Sequence, residues 1–321
     1  MDNLLTQLDK VKRSSTKADK RKLLKSQDSP ALRQLLFIAL SPTEYTGLVD
    51  LDFNDDPLPY DPEPATLGNF LLLIRAIRGS DQGHKEPGLV EQVEAYIQTV
   101  QPALRELLVA VFTGTLTLGL DPLQINEPLP GCIPTLSVSK PVPFLKGQVP
   151  YPLYASPILN GLRVVAVVTK QGARLFALSG KPITSLPHVL ARVKRLPPGY
   201  YDGLLRHDQW TTRSTMALVR SERPRGDYHA VYFQVNDWVS AREWEKPVTD
   251  AKVRFAQLNQ IMESHTDTSL RWVPPERIER NFELLRLHRR YLALGHEGTL
   301  IRSGGEYRRW EGWHMQVLRG E

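Results

Sequence analysis

Tyr151-Pro152-Leu153-Tyr154-Ala155-Ser156-Pro157-Ile158-Leu159-Asn160-Gly161-Leu162-Arg163 runs into an apolar series, Val164-Val165-Ala166-Val167-Val168. An unbroken run rich in β-branched residues predicts a buried strand from Arg163 to Val168. Lys170-Gln171-Gly172 reads as a hairpin turn and Arg174 to Leu178 as the returning strand. The stretch divides the chain, with helical periodicity before it and strand patterning after it.

Upstream, Leu4, Leu5, Leu8 and Val11 recur at helical spacing, and residues 2–28 read as helical with a break at Ser14-Ser15-Thr16. Thr16 is a plausible cap for a basic helix from Lys17 to Ser26. Further helices are expected at 31–40, 67–78, 88–98 and 102–114, while residues 41–66 read as a long acidic loop. The first 125 or so residues therefore predict an all-helical domain. Residues 126–150 are a proline-rich linker, and the proline density across 126–157 argues against continuous helix or central strand. Downstream, strands are expected at 200–206, 216–220, 228–238, 270–273, 299–302 and 307–317. Helices are expected at 186–194, 248–264 and 276–294. The fold class is α+β: a helical domain, then an antiparallel-sheet domain over 151–321.

The chain has 321 residues, 41% hydrophobic and 24% charged, globular values that leave room for two cores. Its longest apolar runs are too short to span a bilayer, so no membrane partner is expected. Met1-Asp2-Asn3-Leu4-Leu5 lacks a basic segment followed by an apolar one, so no signal peptide is expected. The single cysteine, Cys132, excludes an internal disulfide and a cysteine-based zinc site, and a reducing cytoplasm fits. The eight histidines show no ligand spacing, so no metal site is expected.

Charge is uneven. Residues 1–150 carry 15 Lys/Arg against 18 Asp/Glu, whereas 151–321 carry 26 against 17. The first 25 residues nevertheless hold eight basic side chains. With a pI near 9.3 the balance permits a polyanionic partner, nucleic acid being the commonest, without demanding one. Candidate DNA contacts are Lys10, Lys12, Arg13, Lys17, Lys20, Arg21 and Lys22, with Arg308-Arg309 beside Trp310 and Trp313. The same residues also read as a solvated helix face and a sheet or domain contact.

Several segments, taken in order, resemble the ATP-dependent DNA ligase family. Ile158-Leu159-Asn160-Gly161-Leu162-Arg163 stands where that family has Lys-x-Asp-Gly-x-Arg, whose lysine becomes adenylylated. Tyr201-Asp202-Gly203-Leu204 stands for a motif of type Asp-Gly-Glu. Tyr228 to Val235 stands for a strand carrying the adenine-stacking aromatic, which assigns that role to Tyr232. Arg254, Leu258 and Ile261 lie on a helix that the family also has there. Glu297-Gly298-Thr299-Leu300-Ile301-Arg302 reproduces the family's Glu-Gly-x-x-x-Lys/Arg motif. Trp313-His314-Met315-Gln316 replaces a lysine-rich one. The N-terminal half, through Ser15 to Leu24 and Leu104 to Leu108, is similar to the helical DNA-binding domain of T-even phage ligases.

The resemblance implies a helical DNA-binding-like domain (1–125) and a nucleotidyltransferase domain (151–321), without the small C-terminal barrel that follows in ligases. It leaves Arg163, Tyr232, Glu297 and Arg302 as nucleotide-pocket remnants. The chemical groups are the ones replaced. Ile158 has no lone pair to attack with, and Asn160 stands for an aspartate. Leu204 offers no oxygen to a metal, and His314 and Gln316 do not supply two fixed positive charges. Lys170, Lys181 and Lys194 are the possible substitute nucleophiles.

The expected function is a catalytically inactive ligase-like protein that binds duplex or nicked DNA, with a phage as the expected source and the host cytoplasm as the expected location. No cofactor is expected, ATP and magnesium entering only if ligase chemistry survives. Two alternatives stand beside it. One is a ligase scaffold recruited to bind a replication, transcription or defence protein through the acidic loop at 44–63. The other is an active ligase of altered chemistry.

Overall fold

The computed structural model describes residues 1–321 apart from 45, 49, 50, 52–64, 81–85, 87, 220–225, 310, 311 and 321, and without the side chain of Trp313. Most of the acidic loop, and the pair Trp310 and Trp313 as an aromatic surface, lie outside the described residues. The chain divides into two compact units. One comprises Met1–Thr135 with Thr169–Gly172 and Ser179–Lys181, and the other comprises Leu136–Val168, Ala173–Leu178 and Pro182–Glu321. Residues 126–150 are thus shared between two cores. Leu129, Cys132 and Ile133 are buried in the first and Leu136, Val138 and Val149 in the second.

In the first unit the helices are α1 (Asp2–Arg13), α2 (Lys17–Ser26), α3 (Pro30–Leu40), α4 (Leu67–Gly79), α5 (Leu89–Gln98), α6 (Pro102–Phe112) and a short α7 (Pro122–Asn126) that periodicity does not announce. Their starts follow from side-chain caps. Thr16 accepts from the Asp19 amide and Ser29 from that of Leu32, with Pro30 at the first helical position. Thr66 accepts from the Asn69 amide, and Asp121 and Gln124 form a capping box. Leu5, Leu8 and Val11 face a core that also holds Phe70, Tyr96 and Phe112, whose rings meet edge-on or tilted.

The second unit holds two sheets. The five-stranded sheet has the order β1 (Val142–Pro143), β11 (Met315–Arg319), β10 (Gly298–Ser303), β2 (Leu153–Pro157), β9 (Glu276–Ile278). The six-stranded sheet has the order β5 (Pro182–Ile183), β4 (Gly172–Ala177), β3 (Leu162–Thr169), β6 (Gly199–Arg206), β7 (Tyr232–Val239), β8 (Leu270–Trp272). Pairing is antiparallel except for β1 with β11 and β7 with β8, so the α+β architecture of helices and largely antiparallel sheets stands. The helices are α8 (Pro187–Val193), α9 (Thr212–Val219), α10 (Ala241–Glu245), α11 (Ala251–Glu263) and α12 (Asn281–Ala293).

The unbroken apolar series in β3 has a plain cause. Val164, Ala166 and Val168 pack in one core with α8 and α11, while Val165 and Val167 pack in another with Phe176, Tyr200 and Trp244. Both faces are covered, so no polar alternation survives. The five-stranded sheet is different. Leu153, Ala155 and Ile301 pack against Leu284, Leu287 and Tyr291 of α12, which leaves the alternate residues Ser156, Leu300 and Arg302 to its other face.

Five expectations are corrected. Residues 216–220 are not a strand: Thr212–Val219 is helix α9, started by the Thr211 hydroxyl accepting from the Ser214 amide and burying Thr215 and Val219 four residues apart. Residues 276–294 are not one helix, because Glu276–Ile278 pairs with β2 and α12 begins only after Arg280. The strand at 307–317 begins only at Met315, after a 3-10 turn at Gly312–His314. Finally, β2 is interior to its sheet despite the prolines around it, since they sit at its ends. In the same way Tyr228–Ala230 is a 3-10 turn that precedes β7, and α10 is a helix that the pattern does not reveal.

Candidate functional site

Strand alternation gathers a cavity of about 440 Å³ between the two sheets of the second unit. From the six-stranded sheet come Arg163 on β3, then Asp202, Leu204 and Arg206 at every second position of β6, and Gln234 and Asn236 on β7. Pairing puts Arg163, Leu204 and Gln234 in one row. From the five-stranded sheet come Ser156 on β2, Leu300 and Arg302 on β10, and Met315, Val317 and Arg319 on β11. Register aligns Ser156, Leu300 and Val317 in one row and sets Arg302 opposite Met315. Ile158 and Leu159, on the loop joining β2 to β3, complete one wall, and Pro141, Pro157, Val273 and His296 also contribute. The loop is anchored: the Ile158 amide donates to Gly298 O at 3.0 Å, and the Gly161 amide donates to Thr212 Oγ1 at 3.1 Å.

Arg163 grips Asp202 with two prongs, Nε to Oδ1 at 3.0 Å and Nη2 to Oδ2 at 2.6 Å, and also donates to Ser139 O. Tyr307 donates to the same carboxylate at 2.8 Å. Burial opposes the Arg163 charge, but the Asp202 carboxylate more than offsets it and holds the pKa above the ordinary arginine value. Burial pushes the Tyr307 hydroxyl well up, and the Asp202 charge adds to this, so Tyr307 remains a donor. Beside this network Arg254 is buried against Asp237 at 3.1 and 3.2 Å and also donates to Thr249 O and Gly305 O.

Arg302 has no such carboxylate. It is 6% exposed, its Nη1 donates to Asn236 O and its Nη2 to Ser156 Oγ at 3.3 Å, while its Nε has no partner. Burial lowers its pKa from the ordinary value, partly countered by the charges of Asp237 and Asp202. A buried charged donor left unpaired costs about 1–3 kcal/mol or more. Arg206 donates from Nε to Asn160 O at 2.7 Å. Arg319 pairs with Glu297 at 2.8 Å, both well exposed.

The expected site residues distribute as follows. Ile158, Leu204, Arg163 and Arg302 meet in the cavity. Asn160 is exposed and contributes its carbonyl to Arg206. Glu297 does not line the cavity; it is spent on Arg319. Tyr232 does not line it either: its hydroxyl donates to Asp208 at 2.5 Å and the Arg271 guanidinium covers its ring at 3.7 Å. His314 bonds to Ser303 at 2.8 Å and lines a neighbouring cavity of about 470 Å³, while Gln316 is buried and donates to Gln148 at 2.9 Å. Lys170, Lys181 and Lys194 are not among the lining residues, and among the described residues no lysine is. Sequence reading missed Arg206, Gln234, Asn236, His296 and Arg319. Period-two alternation from Asp202 and Leu204 points to Arg206, and alternation from Met315 points to Arg319.

The basic candidates also separate. Lys20 is buried and donates to Lys12 O at 3.2 Å and Leu118 O at 2.7 Å, so it cannot reach a phosphate. Arg309 is buried over the Trp244 ring and faces Glu245 at 3.5 Å, which corrects its place among the DNA contacts. Arg13 pairs with Asp9, Arg21 with Glu127, and Lys17 reaches Gln124 at 3.3 Å. Lys10, Lys12, Lys22 and Arg308 are exposed, the last paired with Glu306.

A hard divalent cation needs several oxygen ligands. The cavity wall offers one carboxylate, Asp202, already held by Arg163 and Tyr307, so these residues do not fit a magnesium ion. No group of three or more His, Cys, Asp or Glu is gathered for a metal among the described residues. No helix among them is long and apolar enough to cross a membrane.

Two largely antiparallel sheets, with helices outside, thus enclose one arginine-lined cavity. No protein-family model matches the chain, and no curated protein does. Among solved structures the chain is similar to Pmar-Lig_PreS3 (15% identity, TM-score 0.51) and Pmar-Lig_Pre. (14%, TM-score 0.52), each match covering 99% of this chain and 78% of the other. It also matches the ATP-dependent DNA ligase of bacteriophage T7 in complex with ATP at 16% identity and TM-score 0.47, over 58% of this chain and 69% of that one. The likeness is one of fold, a ligase-like scaffold.

Proposed function

We propose that the chain is a DNA-binding protein on a ligase scaffold that does not ligate. One observation carries the reading: Ile158 occupies the cavity wall where the resemblance puts the lysine nucleophile, and no lysine among the described residues lines that cavity. A nucleophile needs a lone pair, and phosphoryl chemistry depends on positioned charge. Ile158 and Leu204 supply neither, and His314 and Gln316 are turned to Ser303 and Gln148. The binding role draws on exposed Lys10, Lys12 and Lys22 in the helical unit and the excess of Lys/Arg over Asp/Glu, 26 to 17, in residues 151–321. On this reading residues 1–125 are the DNA-binding-like domain, a phage is the source, and binding requires neither ATP nor magnesium.

The test pairs two assays on the full chain. Fluorescence anisotropy with nicked and intact duplex should give micromolar or tighter affinity that weakens as salt rises. Incubation with labelled ATP and magnesium should leave no lysine adduct, either in the parent or in Ile158→Lys. A stable adduct on the parent overturns the inactivity. Absent or salt-insensitive binding overturns the DNA role.

A further inference from the structure

We propose that the cavity between the two sheets takes an organic monoanion with an apolar body, an alkyl or aryl carboxylate or sulfonate, held without covalent chemistry. The proposal goes beyond DNA binding and does not require it. Among the described residues four guanidiniums line the cavity against one carboxylate. Asp202 is consumed by Arg163 and Tyr307, and Arg319 by Glu297. Among the described residues Arg206 and Arg302 hydrogen-bond only to carbonyl and hydroxyl oxygens, with the Tyr232 and Phe255 rings beside them, and the carboxylates that act on them, Asp208 on Arg206 and Asp202 and Asp237 on Arg302, do so without a hydrogen bond. Arg302 is more than nine-tenths buried yet lines the cavity, and its Nε, closed off from solvent, has no acceptor. An anion in the cavity would bring a close counter-charge to Arg206 and Arg302, which Asp202 and Asp237 now provide to Arg302 only at longer range.

The remaining walls choose the body of the ligand. Ile158, Leu159, Leu204, Leu300, Met315 and Val317 make them mainly apolar, with Ser156, Gln234, Asn236 and His296 as the polar positions. Such walls reward a hydrocarbon or ring and leave the hydroxyls and extra charges of a polyphosphate unsatisfied. A volume of about 440 Å³ suits a small organic ligand with a few fixed polar contacts.

The probe is 8-anilinonaphthalene-1-sulfonate, titrated by fluorescence into the folded full chain at fixed salt. We expect one saturable site, displaced by decanoate at lower concentration than by AMP or inorganic phosphate. Arg302→Gln should weaken probe binding about tenfold or more, the usual loss when a charged hydrogen bond is removed. Leu204→Glu, which sets a carboxylate in the apolar wall and tests the site without touching Arg302, should weaken it as well. Circular dichroism confirms that each variant is folded. Binding unchanged in a folded variant, or displacement by AMP or phosphate ahead of decanoate, overturns the proposal. DNA affinity measured on the same samples separates failure here from failure of the DNA reading.

Discussion

Arg163 and Asp202 stand on neighbouring strands β3 and β6 and meet through two hydrogen bonds, at 3.0 and 2.6 Å, with Tyr307 closing the far side of the carboxylate. The pair turns a carboxylate that could have faced a ligand into part of the frame. Removing one partner strands the other charge, so Asp202→Ala should lower unfolding free energy by about 3–5 kcal/mol. The double variant Arg163→Met with Asp202→Leu should recover much of that loss. Urea unfolding of the three proteins measures both, and an Asp202→Ala chain as stable as the parent would show the pair to be idle.

Lys20 and its neighbours should part company experimentally. Lys20→Met removes the donor from Lys12 O and Leu118 O and should destabilise the helical unit by about 1–3 kcal/mol. Lys12→Gln and Lys22→Gln, both on exposed side chains, should leave stability within about 0.5 kcal/mol. Each that touches a phosphate should reduce the salt slope of DNA affinity by about one. Thermal melts and anisotropy read the two effects. An unchanged melt for Lys20→Met would count against its buried role.

Two histidines, His288 buried and His188 half-buried, set a pH dependence. Burial lowers the pKa of His288, whose Nδ1 lies 3.0 Å from Thr299 Oγ1, and of His188, whose Nε2 lies 2.7 Å from Val231 O. Unfolded histidine takes up a proton near pH 6.5, whereas these two stay neutral until a lower pH. The unfolded state therefore binds more protons as pH falls through about 6.5, and stability drops toward the folded-state pKa. The urea midpoint should fall between pH 7.5 and 5.5, with a shallower fall in His288→Gln. A midpoint equally steep in parent and variant would assign the effect elsewhere.

Gly298 illustrates a motif residue with a steric reason. A Cβ there would lie 2.1 Å from Leu318 O on the paired strand, at a φ of +152°. Gly298→Ala should cost about 2–4 kcal/mol by forcing β10 from β11. Calorimetry of the variant checks it, and a melting temperature equal to that of the parent would show that the strands part freely.

The sequence by itself determined helices α1 to α6 of the first unit and the strand at 163–168, because local periodicity and capping residues carry that information. It also determined that position 158, two residues before Asn160-Gly161, is an isoleucine and not a lysine. Where it failed, tertiary contacts overrode local pattern. Glu276–Ile278 is a strand because β2 offers it an edge, and Leu153–Pro157 is interior because β10 and β9 flank it. Only the tertiary structure decided which cations are spent. Lys20 and Arg309 look like their exposed neighbours in sequence, yet one caps buried carbonyls and the other lies over Trp244. Nor could a linear reading see Arg163, Arg206, Arg302 and Arg319 enclose one cavity, since alternation says which face a residue takes but only long-range strand pairing says which faces meet.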